Sequence, residues 1–282
     1  MKNKKNLIKS LLFCILWLVP FIVIGTLAEK VENDILQDTI KLISRIVASA
    51  GIFIYVKKIY GIGPDLRKNN LVKVIFWYGS VIFLFTCLMF VLNYKTPEIA
   101  FIKAMPLLIF YLIANLAVGL FEEALCRGLL FNTFKEYWGD NKKGVYLGAL
   151  ISSLLFGSLH LFNLNGYNTV STITQVIYAT FFGMLFATVY YRSGNLLSCV
   201  ILHGLVDYAS SFWKCFLVDR AAQAAIEEVT DSTISEALIV LAITSLFVIS
   251  SLIQLKKEFK QQAAKQAQTM QAQNLQAQNY QA

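Results

Sequence analysis

The chain has 282 residues, of which 57% are apolar, 13% aromatic and only 15% charged, with a mean hydropathy of +0.59. A soluble domain of this length carries about 25% charged residues, so the composition excludes an ordinary soluble enzyme and specifies a polytopic membrane protein. The net charge of +8 is not read as a nucleic-acid footprint, because in a membrane protein excess Lys and Arg mark the cytoplasmic loops.

Crossing a hydrocarbon core of about 30 Å takes roughly 20 apolar residues. Eight runs come close to that length: 11–28, 40–56, 72–93, 101–122 (continuing as helix to about 133), 144–162, 169–190, 195–213 and 234–255. The expected fold is therefore all-α, a bundle of about eight transmembrane helices. The first run is too long for a signal peptide and lacks a small-residue cleavage site, so it reads as a retained helix. Pro20 and Pro106 are expected to kink their helices, which membrane spans tolerate. Basic residues cluster at alternate loops: Lys2, Lys4, Lys5 and Lys9; then Lys57, Lys58, Arg67, Lys68 and Lys73; then Lys135, Lys142 and Lys143; then Arg192; then Lys256, Lys257, Lys260 and Lys265. The intervening loops hold Glu29, Glu32, Asp34, Asp38, Glu98, Asp219, Glu227, Glu228 and Asp231. This alternation predicts both termini in the cytoplasm, with Lys41, Arg45 and Lys103 snorkelling at outer helix ends.

The transmembrane domain is expected over 1–259, with its core at about 101–215. A low-complexity Gln/Ala tail follows over 260–282, either disordered or a fraying helical extension. Cys14, Cys87, Cys126, Cys199 and Cys215 lie in or beside apolar runs without CxxC spacing. They read as small buried hydrophobes and not as a disulfide framework or zinc site. Neither an internal repeat nor a Gly-rich phosphate loop is present.

The informative residues are the ionisable ones inside apolar runs, because a charge at the bilayer centre costs from about 2.5 to more than 10 kcal/mol. Glu122 and Glu123 interrupt the fourth run, and the only two histidines, His160 and His203, interrupt the fifth and seventh. On a helix Glu123 and Arg127 share a face and can form an internal ion pair. Glu122 is turned about 100° away and has no partner in its own helix. A carboxylate left so in apolar surroundings holds a proton more readily, as a general base or acid near pH 7 requires. Phe156 and His160 lie one turn apart, as do His203 and Asp207. Counting 1.5 Å per residue from helix ends near Phe131, Gly144 and Asn195 puts Glu122 roughly 14 Å, His203 roughly 12 Å and His160 roughly 24 Å deep. With tilt these depths overlap, and one shared site is expected. Taken singly, each group also has a bland reading: a helix-end charge cluster, an interhelical hydrogen-bonder, a bracing His–Asp pair.

EExxxR, FxxxH and HxxxN/D, in this order on successive membrane helices, resemble the CPBP family of intramembrane endopeptidases, the CAAX-protease-like and bacteriocin-processing (Abi) proteins. The resemblance covers about residues 101–215. It implies a cavity within the membrane, open to the cytoplasm, and a glutamate mechanism without a cofactor or metal. By that resemblance Glu122 activates water with help from His160, His203 and Asp207 hold the oxyanion, and Glu123 and Arg127 are the structural pair. Asp207 departs from the Asn of eukaryotic-type CAAX enzymes. An amide can donate to an oxyanion whereas an ionised Asp repels it, so Asp207 either carries a proton or orients His203.

The reading that results is a multi-pass enzyme, in a bacterial plasma membrane, that hydrolyses a peptide bond of a membrane-associated peptide or protein. Its partners are that substrate and the bilayer, with no nucleic acid. Four alternatives stand beside it. Two His and a Glu on three helices can bind Zn²⁺, although there is no HExxH. Cys126 can serve as a nucleophile. Buried Glu and His can form a proton relay for transport. The same fold can be a non-catalytic scaffold in bacteriocin immunity or regulation.

Overall fold

A computed structural model of the chain describes residues 2–61, 70–165, 169–218 and 233–279, and among these residues there is helix and turn but no strand. Arg67, Lys68, Asp219, Glu227, Glu228, Asp231 and the tail residues 280–282 lie outside the described residues. The helices are α1 (Lys2–Ala28), α2 (Asp34–Tyr60), α3 (Leu71–Lys73), α4 (Ser80–Leu92), α5 (Phe101–Glu123), α6 (Asn132–Trp138), α7 (Lys142–Leu159), α8 (Thr169–Ser193), α9 (Leu196–Ser211) and α10 (Ile234–Asn279). Three of them start on an asparagine whose side chain accepts from the backbone: Asn33 from Leu36, Asn141 from Gly144 and Asn195 from Ser198. Such caps satisfy amide groups that a helix start leaves without partners.

Seven described helices are long and apolar enough to cross a membrane. The eighth expected run, 72–93, is not one straight helix. α3 passes into a π-helical stretch, Val74–Tyr78, which ends where Gly79 donates to the Val74 carbonyl at 2.8 Å. There the chain bends by 78° into α4. A Cβ at residue 79 would meet the tip of the Leu202 side chain on α9, so α9 passes close beside the bend. α4 alone has 13 residues, about 20 Å at 1.5 Å per residue, which is less than a full hydrocarbon core. Hydropathy does not reveal this, because a glycine inside an apolar run leaves the run apolar. Pro20 and Pro106 both sit inside continuous helices. Helix α10 carries on through the Gln/Ala segment to Asn279.

Contacts divide the bundle into two ends. At one end Asn6 donates to Glu136 at 3.2 Å, Tyr60 bonds Ser10 and Thr133 at 2.7 Å each, Arg192 pairs with Glu258 at 3.2 Å and Gln262 donates to Tyr191 at 3.3 Å. Lys4, Lys5, Lys9, Lys57, Lys58, Lys135, Lys142, Lys143, Lys256 and Lys257 belong to helix segments at this end, where α1 begins and α10 leaves the bundle. At the other end Tyr111 donates to Asp38 at 3.0 Å, the Val218 amide donates to Glu98 at 2.8 Å and Asn163 donates to Gln175 at 2.8 Å.

The crossing of α5 and α9 sets where the site sits. Its closest point is Gly119 against Gly204: a Cβ on Gly119 would lie 2.6 Å from the Val200 carbonyl, and one on Gly204 would lie 2.8 Å from the Asn115 carbonyl. Small residues of this kind let membrane helices pack backbone to backbone. Gly119→Ala or Gly204→Ala should destabilise the protein by about 1–3 kcal/mol, the usual cost of overpacking. Gly128→Ala, where the added carbon meets only ordinary contacts of 3.9 and 4.0 Å, should not. Thermal unfolding of the detergent-solubilised variants reads the difference.

Candidate active site

The two adjacent carboxylates end in different environments. Glu123 is fully buried, while 28% of the Glu122 side chain is accessible. The Glu123 Oε1 atom accepts from Arg127 Nη1 at 2.9 Å, the pairing that the spacing within the helix predicts, and stands 2.8 Å from His203 Nδ1. Arg127 Nη2 donates to the Gly183 carbonyl on α8 at 3.0 Å. One cluster therefore ties the chain after α5 to α8 and α9. Burying these charges is costly, and mutual pairing with further hydrogen bonds offsets the cost. Aromatic faces enclose them: Phe186 stacks on His203 at 5.2 Å, and the Arg127 guanidinium lies 5.1 Å from Phe186 and 5.4 Å from Phe156.

Arg127 belongs to a π-helical segment, Ala124–Phe131, that follows α5 directly and is buried throughout. The wide turns leave carbonyls in need of donors. Asn132 supplies them, donating to the Arg127 and Gly128 carbonyls at 3.0 Å each while also reaching the Tyr190 hydroxyl at 3.2 Å. π-Bulges of this type concentrate at functional sites, and the apolar pattern of the sequence carries no sign of one.

Glu122 has no partner in its own helix, as the spacing requires, but it is not left alone. Its Oε2 stands 3.2 Å from His203 Nε2. Both nitrogens of His203 thus face carboxylates on consecutive residues. The arrangement is complete only with a proton on each contact, as an imidazolium or as a neutral imidazole with one protonated carboxyl. Asp207 is farther away, its Oδ2 3.7 Å from His203 Nε2, beyond hydrogen-bond range. Glu122 and Glu123, and not Asp207, stand within hydrogen-bond distance of His203, and one-third of the Asp207 side chain stays accessible (33%).

His160 lies at the end of α7, where the chain tightens into the 3₁₀ turn His160–Asn165. Its Nδ1 is 3.2 Å from the Phe156 carbonyl. A carbonyl only accepts, so Nδ1 carries the proton of the neutral ring and Nε2 keeps its lone pair. The Phe156 ring sits edge-on to both histidines, at 5.2 Å from His160 and 5.9 Å from His203. A cavity of about 300 Å³ is lined by Glu122, Cys126, Phe156, His160, Asn163 and Gln175, with Leu18 and Phe21 of α1. A smaller one of about 90 Å³ joins His160 to His203 and Asp207. The expected site residues Glu122, His160, His203 and Asp207 therefore come together, with Glu123 and Arg127 behind them. Cys126 reaches the cavity wall but is 1% exposed. Among the described residues no three His, Cys, Asp or Glu side chains are grouped to hold a metal ion.

Two features escape a motif-based reading. Arg45, expected to snorkel at an outer helix end, sits 11 residues into α2, about 16 Å along the helix. It is half-buried and in electrostatic reach of Glu122, Asp38 and Asp207. A cation that deep in an apolar run is itself a signal. The Asn163–Gln175 pair at the cavity wall looks from sequence like ordinary polar residues near a helix end.

Comparison with known proteins places this site in a family context. Residues 104–209, less than half of the chain, match the family described as Type II CAAX prenyl endopeptidase Rce1-like. The matched segment contains Glu122, Glu123, Arg127, His160, His203 and Asp207. No curated protein and no solved structure matches the chain.

Arg127→Ala should remove most of the folded protein, because breaking a buried pair costs about 3–5 kcal/mol. Glu122→Gln alters the more accessible carboxylate and should keep the fold. Monodispersity of the two variants in detergent, measured by size-exclusion chromatography, checks the contrast.

Proposed function

We propose that this multi-pass membrane protein, matched over 104–209 to a family of CAAX endopeptidases, hydrolyses a peptide bond of a membrane-associated peptide or protein within its own cavity. The observation that carries this reading is the shared cavity itself: Glu122 and His160 line one wall each, and His203 and Asp207 adjoin through His160. Proton-transfer groups converging on one partly polar cavity among membrane helices support a catalytic site.

In the proposed reaction a water between Glu122 and the His160 Nε2 lone pair gives its proton to Glu122 as its oxygen attacks the substrate carbonyl carbon. As Glu122 takes the proton, the His203 Nε2–H is released from it and donates to the new oxyanion, together with a protonated Asp207. Collapse of the tetrahedral intermediate breaks the C–N bond, and Glu122 returns the proton to the leaving amine. Donors fixed in a site shielded from bulk water stabilise such an oxyanion more than donors in water do. Glu123 and Arg127 act at one remove, holding His203 in place. The mechanism needs no metal, so cleavage should persist in the presence of a chelator. The plasma membrane of a bacterium is the proposed location.

Glu122→Gln and His160→Ala should each lower cleavage by about 10²–10⁴-fold, the range for loss of a general acid–base group, with the protein still folded. Quantitative proteomics of membrane peptides, wild type against Glu122→Gln, should show one precursor accumulating uncleaved. No difference between them would favour the non-catalytic scaffold. Asp207→Asn should retain far more activity than Asp207→Ala, because an amide still donates a hydrogen bond.

A further inference from the structure

We propose that Arg45, on α2, is a positioning residue for the reaction: its charge compensates Glu122 and holds that carboxylate ready to receive the proton of water. The proposal rests on the reading of Glu122 as the general base, and it extends the site to a helix outside the matched segment 104–209.

Two hydrogen bonds pin α2 beside the span Phe101–Trp138, which α5 begins and α6 ends. Tyr111 donates to Asp38 at 3.0 Å, and Tyr60 bonds Thr133 at 2.7 Å. Both pairs join residues 73 apart in sequence, so the two helices run in the same direction at a constant offset. By that offset Arg45 stands level with Val118. Glu122 lies one turn farther along, about 6 Å at 1.5 Å per residue, a distance that an extended arginine side chain covers. The faces agree as well. Arg45 follows Asp38 by about two turns on α2, and Glu122 follows Tyr111 by about three turns on α5, so each returns to within about 20° of the bonded residue. Arg45 accordingly lies in electrostatic reach of Glu122, with Asp38 and Asp207 also in range.

The other cations of the site are committed elsewhere. Arg127 is bound to Glu123 at 2.9 Å. His203 is shared between the two glutamates, and in the proposed reaction its Nε2–H turns to the oxyanion. Among the described residues the Arg45 guanidinium makes no hydrogen bond or ion pair of its own, so its charge acts across the site as a field. Glu122 must carry a charge away from bulk water before the proton arrives, and Arg45 must carry one deep in an apolar helix. Each offsets the cost of the other. The two arginines thus divide the glutamate doublet, Arg127 serving the buried member by contact and Arg45 the cavity-facing member from a second helix. Asp38, on the same face of α2, is the competing partner.

Melting of the full-length protein in detergent tests the pairing. Arg45→Met removes the charge and keeps an unbranched side chain suited to a membrane helix. The losses in unfolding temperature of Arg45→Met and Glu122→Gln, summed, should exceed the loss of the double variant. Those of Arg45→Met and Asp38→Asn, whose amide still accepts from Tyr111, should simply add. Losses that add for Glu122, or that couple to Asp38 alone, overturn the proposal. Quantitative proteomics of membrane peptides tests the role. Arg45→Met should accumulate the same precursor as Glu122→Gln, and Arg45→Lys, which restores the charge, should clear most of it. A folded Arg45→Lys variant that clears none overturns the proposal. Normal processing by Arg45→Met beside a Glu122→Gln defect also overturns it and leaves the endopeptidase reading standing. Normal processing by Glu122→Gln removes that reading, and the role of Arg45 with it, whatever the melting shows.

Discussion

The contact between Glu123, Arg127 and His203 organises this bundle. One carboxylate oxygen stands within hydrogen-bond distance of a guanidinium from its own helix and an imidazole from α9, and the guanidinium continues to a backbone carbonyl on α8. In an apolar interior such a charge cluster cannot be loosened one member at a time, because each group left behind would be buried without compensation. The positions of three helices are thereby coupled. The close passage of Gly119 over Gly204 is its steric counterpart: the backbones must touch for His203 to reach both glutamates. Phe156 and Phe186 complete the enclosure, shielding the cluster from water and fixing the plane of the His203 ring.

From that rigid base follows the different standing of two chemically identical neighbours. Glu123 turns inward, its Oε1 taken up by Arg127 and His203, and Glu122 directs one oxygen to His203 while its side chain borders the cavity. Adjacent residues on a helix point about 100° apart, so a doublet of glutamates is a compact way to supply one structural and one cavity-facing carboxylate. His203, held from both sides, cannot rotate away when a substrate arrives. His160 is held differently, by a single bond to the Phe156 carbonyl one turn earlier. It is the freer of the two histidines, which suits a group proposed to meet water.

Much of this was legible in the chain. The apolar runs mark the helices, the spacing of Glu123 and Arg127 announces their pairing, and the rarity of ionisable groups in apolar segments points to the four residues that meet at the cavity. What was not legible has physical causes. The 78° bend at Gly79 hides in a run that stays apolar from end to end. The π-helical segment after Glu123 depends on a donor, Asn132, whose role exists only once the carbonyls are displaced. The partnership of His203 with both glutamates joins residues 80 apart in sequence, and no local spacing encodes it. Arg45 was visible but misplaced, because a basic residue in an apolar run reads as snorkelling until its depth along α2 is known.

A hydrolase of the kind proposed must admit water to one spot without opening a path through the bilayer. Here those demands fall on adjacent parts of the same helices. Toward the lysine-rich end, the segment from Ala124 to Phe134 is fully buried and is crossed by a belt of tyrosine, serine and threonine hydroxyls that bond to one another. Beside that segment lies a cavity of about 300 Å³ with amide side chains at its wall. The charge cluster sits at the boundary between the two. Its fully buried members anchor that packed segment, and its more accessible member, Glu122, borders the cavity. The position of the glutamate doublet, at the junction of an α-helix with a π-helical turn, thus lets it face a packed segment and a cavity at once.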